Sequence, residues 1–144
     1  TLHLQAASGA NFDCPSKNEI ESVLSMGVAP SRIISANPCK TKGFNRHAAK
    51  VGADMMTFDN AVELRNVKES HHNENIEIRN RVDDRACVCQ LGVKFGFRIG
   101  DIPHLLLLAK DLDLDVIGVS LHVGSGCQDS SAYRTAILSA YHAR

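Results

Sequence analysis

Asp115-Val116-Ile117-Gly118-Val119-Ser120-Leu121-His122-Val123-Gly124-Ser125-Gly126-Cys127 opens on a β-branched apolar run and closes on a histidine and a glycine-serine turn. The run reads as a buried strand that carries His122 to its far end. Gly124, Ser125 and Gly126 then read as a tight loop, and a helix is expected from Ser130 to His142. Strand, polar side chain, glycine loop and helix, in that order, suit a phosphorylated ligand. Glycines let backbone N–H groups approach an anion, and a serine hydroxyl adds a donor. The competing reading is an ordinary strand-to-helix turn with a core histidine.

Working outward, the same alternation repeats. Strands are expected at Phe12-Asp13-Cys14, Arg32–Ser35, Met55–Phe58 and Ile76–Arg79, with helices between them. Ser16 with Glu19 three residues on is a capping box, and Gly27 stops the helix that follows. Asp59 or Asn60 caps a later helix. His71 to Asn75 reads as a polar turn, and Val82 to Gly92 as a charged, cysteine-bearing loop. Val93 to Gly96 reads as short and extended. Asp101 starts a helix with Pro103 in its first turn. Leu105 to Leu108 make that helix apolar all round, so it is expected to be well covered. About five strand–helix units predict a parallel α/β sheet with right-handed crossovers. Two architectures fit: a complete doubly wound sheet, or part of a (β/α)8 barrel, which needs roughly 250 residues. Either one gathers Asp13, Ala36, Phe58, Arg79 and His122 at the carboxyl ends of the strands.

Bulk composition narrows the function classes. Of 144 residues, 16 are Lys or Arg and 16 are Asp or Glu, so no basic excess points to nucleic acid. No apolar run nears the roughly 18 residues of a membrane span. The start lacks a signal-peptide pattern. Five scattered cysteines make a poor disulfide framework and fit a reduced, cytoplasmic setting. Cys87-Val88-Cys89 lacks the gap of a zinc knuckle. Thr1 stands where a methionine would begin a complete chain, which fits a missing beginning.

Arg79 is a permanent cation. At a strand end it pairs with a carboxylate such as Asp13 or Asp83, or meets a ligand oxygen. Asp83-Asp84 reads as a solvated loop pair.

Several segments resemble the barrel domain of eukaryotic ornithine decarboxylase, in the fold-type III pyridoxal-phosphate family. They are Phe12-Asp13-Cys14-Pro15-Ser16-Lys17-Asn18-Glu19-Ile20, Ala36-Asn37-Pro38-Cys39-Lys40, Met55-Met56-Thr57-Phe58-Asp59, Val93-Lys94-Phe95-Gly96 and His122-Val123-Gly124-Ser125-Gly126-Cys127. Taken in order, they run from Phe12 to the end. The resemblance implies a partial (β/α)8 barrel of the alanine racemase-like kind over residues 1–144, and pyridoxal 5'-phosphate as cofactor. It also implies roles: His122 stacks on the pyridoxal ring, Ser125 with Gly124 and Gly126 holds the phosphate, and Arg79 sits near the ring's phenolic oxygen. Asp13 and Glu19 match acids beside the Schiff-base lysine, and Ala36 a small residue near the ring. Asp59 and Lys94 match charges that pair across a homodimer.

The function so implied is decarboxylation of ornithine to putrescine in polyamine synthesis. The family's Schiff-base lysine would precede Thr1, and Lys17, Lys40 and Lys42 lie outside its motif. The C-terminal β domain would follow Arg144. The chain alone is therefore expected to be inactive. The alternative is a non-catalytic relative resembling the antizyme inhibitors, with antizyme as partner near Lys42 to Leu64. Retention of Asp13, Arg79, His122, Ser125 and both glycines favours the enzyme.

Overall fold

The computed structural model describes residues 1–70, 75–85, 87–89, 92 and 95–142. In chain order the elements are α1 (Leu2–Ala7), β1 (Phe12–Asp13), α2 (Lys17–Ser25), β2 (Ile33–Ser35), α3 (Lys42–Val51), β3 (Met55–Phe58) and α4 (Ala61–Ser70). Then come β4 (Asn75–Asn80), β5 (Cys87–Cys89), α5 (Ile102–Asp111), β6 (Asp115–Leu121), β7 (Ser125–Cys127) and α6 (Ser130–His142). Short 3-10 turns precede β2 and α5.

Local chemistry sets the helix ends. Ser16 Oγ accepts the Glu19 N–H at 3.3 Å and donates to Glu19 Oε2 at 2.5 Å, closing the capping box of α2. Thr41 Oγ1 accepts the Phe44 N–H and starts α3, two residues earlier than the apolar pattern suggests. Gly52 ends α3 in the left-handed region (φ 76°). Asn60, rather than Asp59, caps α4 by accepting the Glu63 N–H at 2.7 Å.

The main sheet has five parallel strands in the order β1-β2-β3-β4-β6. A doubly wound sheet reverses its strand order at a switch point, whereas a barrel winds in one direction. This order never reverses. The sheet is an arc of a barrel, and the doubly wound alternative falls.

Alternation along each strand divides the sheet's faces. Ile33, Met56, Phe58, Ile76 and Ile78 are buried against Ile20, Ala48, Leu64 and Val67 of the helices. Each such side chain contributes about 2 kcal/mol of burial. Phe58 is therefore a core residue, not a member of the strand-end group expected above. The opposite, inner face carries Asp13, Thr57, Glu77, Arg79 and Ser120, by the paired registers of the strands.

Three other expectations are corrected. The 82–92 loop contains β5, which pairs antiparallel with β7, so the Gly124-Ser125-Gly126 turn runs into a two-stranded sheet. Strands of three residues, 36 or more apart in sequence, leave no periodic signal. Leu105 is buried, but Leu107 is 62 % exposed, so α5 is covered on one side only. Asp83 is exposed and bridges Arg85 at 2.5 Å, whereas Asp84 is buried and accepts the Gly92 N–H at 2.7 Å. Lys94 and most of the 71–75 turn lie outside the described residues. Among those described, no helix is long and apolar enough to cross a membrane.

Candidate functional site

The candidate residues fall in two places, one past β2 and one past β6. The first is built on the Ala36 peptide, just past β2. Its N–H donates to Asp13 Oδ1 at 3.0 Å, and its carbonyl accepts from Arg79 Nη1 at 3.0 Å. One backbone unit therefore fixes a carboxylate from β1 and a guanidinium from β4. The partner of Arg79 is thus a carbonyl, where an ion pair with Asp13 or Asp83 was one expectation. Asp13 and Asp59 still favour its charged form electrostatically, while burial presses its pKa below the ordinary arginine value.

Phe95 completes this corner. The Arg79 guanidinium lies 5.3 Å from the Phe95 ring centroid, a cation–π distance. Gly96 beside it donates its N–H to Asp59 Oδ2 at 3.0 Å, and Asn60 Nδ2 donates to Asp59 Oδ1 at 2.9 Å. Gly96 has φ 92°, and a Cβ there would lie 2.7 Å from Arg81 Cα. Only glycine lets this segment close on β4. Arg81 itself reaches solvent. Asp13 and Glu19 line one hollow of about 350 Å³ beside Cys14. Burial and the two nearby carboxylates push the Cys14 thiol up to about 11. Glu19 spends one carboxylate oxygen on its helix cap.

The second corner is the end of β6. Ser120 stands opposite Arg79 on β4, and His122 follows two residues on. His122 lies just past Leu121, the last residue of β6, and is exposed. His122 Nδ1 accepts the Gly124 N–H at 2.9 Å, so the ring is tied to its own turn. Ser125 is exposed, and its hydroxyl has no partner among the described residues. Gly124 (φ 85°) and Gly126 (φ 66°) are required by the approach of β5. A Cβ on Gly124 would lie 2.7 Å from Cys87 Cβ, and one on Gly126 would lie 3.1 Å from Val88 Cγ2. Cys87 faces Cys127 across the strand pair, and burial raises its pKa.

Sequence reasoning passed over three groups. Phe95 lay in a segment read as extended and family-like, with no role of its own. The cross-strand neighbours Cys87 and Cys127 carried no local signal. Lys40 is buried in an ion pair with Glu63 at 2.7 Å, and only the tertiary fold joins them.

A phosphorylated, flat, anionic ring fits this donor set. Ser125 offers an unspent hydroxyl, His122 an aromatic face, and Arg79 donors beyond the one given to Ala36. Asp13 keeps its second oxygen for a cation.

Comparisons with known proteins agree. The family described as pyridoxal-dependent decarboxylase, pyridoxal binding domain, matches residues 1–143. Antizyme inhibitor 2 of Xenopus laevis is 54 % identical over 139 residues, covering 96 % of this chain and 30 % of that protein. Ornithine decarboxylase of Schizosaccharomyces pombe is 50 % identical over 129 residues, covering 90 % of this chain and 30 % of that one. The arginine decarboxylase of Paramecium bursaria Chlorella virus superposes with a TM-score of 0.95 at 44 % identity, over 99 % of this chain and 39 % of that one. The chain thus spans under a third of the length of these curated relatives. The family match over residues 1–143 and these likenesses carry the conclusion: the chain belongs to the pyridoxal-dependent decarboxylase family and lies within its pyridoxal-binding domain.

Proposed function

We propose that these residues form the cofactor-binding face of a pyridoxal-phosphate-dependent decarboxylase of basic amino acids, with ornithine as substrate and putrescine as product. The observation that carries the reading is the Ala36 peptide held between Asp13 and Arg79 at the carboxyl ends of the strands. When bound, the cofactor supplies an electron sink for the bond broken as carbon dioxide leaves. Arg79 directs its remaining donors at an anionic oxygen of the ring. The Ser125 hydroxyl donates to a phosphate oxygen at the mouth of the turn. His122 covers one ring face and keeps water from it. Asp13, with Oδ1 held by Ala36, presents Oδ2 to the cation of an incoming or resident amine. Glu19 plays a lesser part there, since its helix cap holds one oxygen.

No lysine of this chain matches the family's Schiff-base position, so we propose that these 144 residues alone do not decarboxylate. In the whole protein we propose a cytoplasmic homodimer in which Asp59 and Lys94 serve the contact between subunits. A second reading is favoured by the 54 % identity to an antizyme inhibitor. There the protein binds antizyme without catalysis.

The two readings separate by experiment. Carbon dioxide release from ornithine, arginine and lysine is measured on the full-length protein containing this chain, with added cofactor, for wild type and Arg79→Ala. Release from ornithine first, falling about 100-fold in Arg79→Ala, is expected. No release from any of the three, with antizyme captured stoichiometrically, establishes the second reading instead.

A further inference from the structure

Lys40 lies in the segment between β2 and α3 that begins with Ala36. Its ammonium donates to Thr57 O at 2.7 Å and to Asn37 O at 3.3 Å. It stands 2.7 Å from Glu63 Oε1, with side-chain exposures of 1 % and 4 %. At that distance charge attraction and hydrogen bonding both join the two groups. Lys40 therefore gathers three pieces of chain: its own segment at Asn37, the end of β3 at Thr57, and the first turn of α4 at Glu63. Two of these flank Arg79. The 36–40 segment supplies the carbonyl it donates to, and the turn after β3 carries Asp59, which holds Gly96 beside Phe95.

A buried ion pair adds little net stability, because desolvating both charges offsets their attraction. An apolar pair of equal volume would fill the same space. It would not hold two loops in register through a donor aimed at two carbonyls. We propose that the buried Lys40–Glu63 pair is a positioning clasp that locks the Ala36 peptide in place beneath Arg79 and Asp13. The inference rests on the cofactor site proposed above. Neither residue touches the ligand; both act through Ala36.

Cys39 is a built-in reporter, since it is exposed on the clasped segment. Lys40 lowers its thiol pKa and Glu63 raises it. Removing both charges together largely cancels their pull, so a change in alkylation rate reads access. The test compares the full chain with the double variant Lys40→Met, Glu63→Leu. Iodoacetamide rates are followed peptide by peptide at Cys39, Cys14 and Cys89, and pyridoxal 5'-phosphate affinity is measured by equilibrium dialysis.

The clasp predicts an unchanged thermal midpoint, a Cys39 rate raised about tenfold with Cys14 and Cys89 unaltered, and cofactor affinity lowered about tenfold. A folded double variant with a Cys39 rate within about twofold of wild type overturns it. So does a double variant that fails to fold, because the pair is then a stability element. Wild-type chain that binds no cofactor, with Cys39 still selectively released in the variant, sinks the proposed site and leaves a clasp without a cofactor to serve.

Discussion

The Ala36 corner and the His122 corner, which the proposed cofactor site would join, are built differently. At the first, side chains from two parallel strands, β1 and β4, meet one peptide group, and Arg79 is 8 % exposed. The packing there is backbone against backbone, as Gly96 against Arg81 demonstrates. At the second, His122 and Ser125 are exposed and hang on a turn whose neighbour is a three-residue strand. Its close contacts are mostly with the side chain of Cys87. In the proposed site the rigid corner would recognise charge, where a misplaced guanidinium would be costly to desolvate, and the accessible corner would meet ring and phosphate, where a ligand must enter.

The sharpest way to break that contrast is a methyl group at each glycine. Gly96→Ala forces a left-handed φ on alanine and drives its Cβ into the Arg81 backbone, which cannot yield. A loss of about 3 kcal/mol or more is expected in urea unfolding. Gly124→Ala meets the Cys87 side chain and the Cys89 carbonyl of a short strand that can shift, and should lose about 2 kcal/mol. Equal losses would show the two corners to be equally stiff.

A pH series probes the rigid corner from the Cys14 side. Folding raises this thiol from 9.0 to about 11. The native state thus holds its proton more tightly than the unfolded chain does. That contribution is complete below pH 9 and is lost as pH climbs from about 9 to about 11. Stability should fall across that window in wild type and fall less steeply in Cys14→Ala. Identical slopes would mean that another group governs alkaline unfolding.

The smallest effect belongs to the open corner. Ser125→Ala removes an exposed hydroxyl with no partner among the described residues and should change stability by less than about 0.5 kcal/mol. Binding of inorganic phosphate to the chain should nevertheless weaken measurably. A stability loss beyond 1 kcal/mol (roughly the value of a satisfied buried hydrogen bond) would show that Ser125 belongs to the packed structure.

Much of this molecule is legible residue by residue. Ser16 with Glu19 announces a capping box because both partners lie in one turn. Gly52 announces a helix end because only a residue without a Cβ adopts that φ cheaply. The Met55–Phe58 strand and the Ser130–His142 helix have the expected bounds. Asp13, Arg79 and Ser120 share a face because alternation along a strand is a local property. The motifs of Phe12 to Cys127 carried the family resemblance for the same reason: each is short and contiguous.

What remained hidden depends on pairs far apart in the chain. Local periodicity is the same for a strand in a barrel arc and in a doubly wound sheet, so only the unreversed strand order separated the two. Arg79 was expected to pair with a carboxylate or to meet a ligand oxygen, but the fold brings the Ala36 carbonyl, just past β2, within its reach across β3. Lys40 reads as one more surface lysine until the fold buries it against Glu63. The sequence by itself determined the elements, their caps and the chemical kinds available at each strand end. Tertiary structure alone decided which of those groups meet, because contact between distant residues depends on register and burial, and neither is written in any single window of sequence.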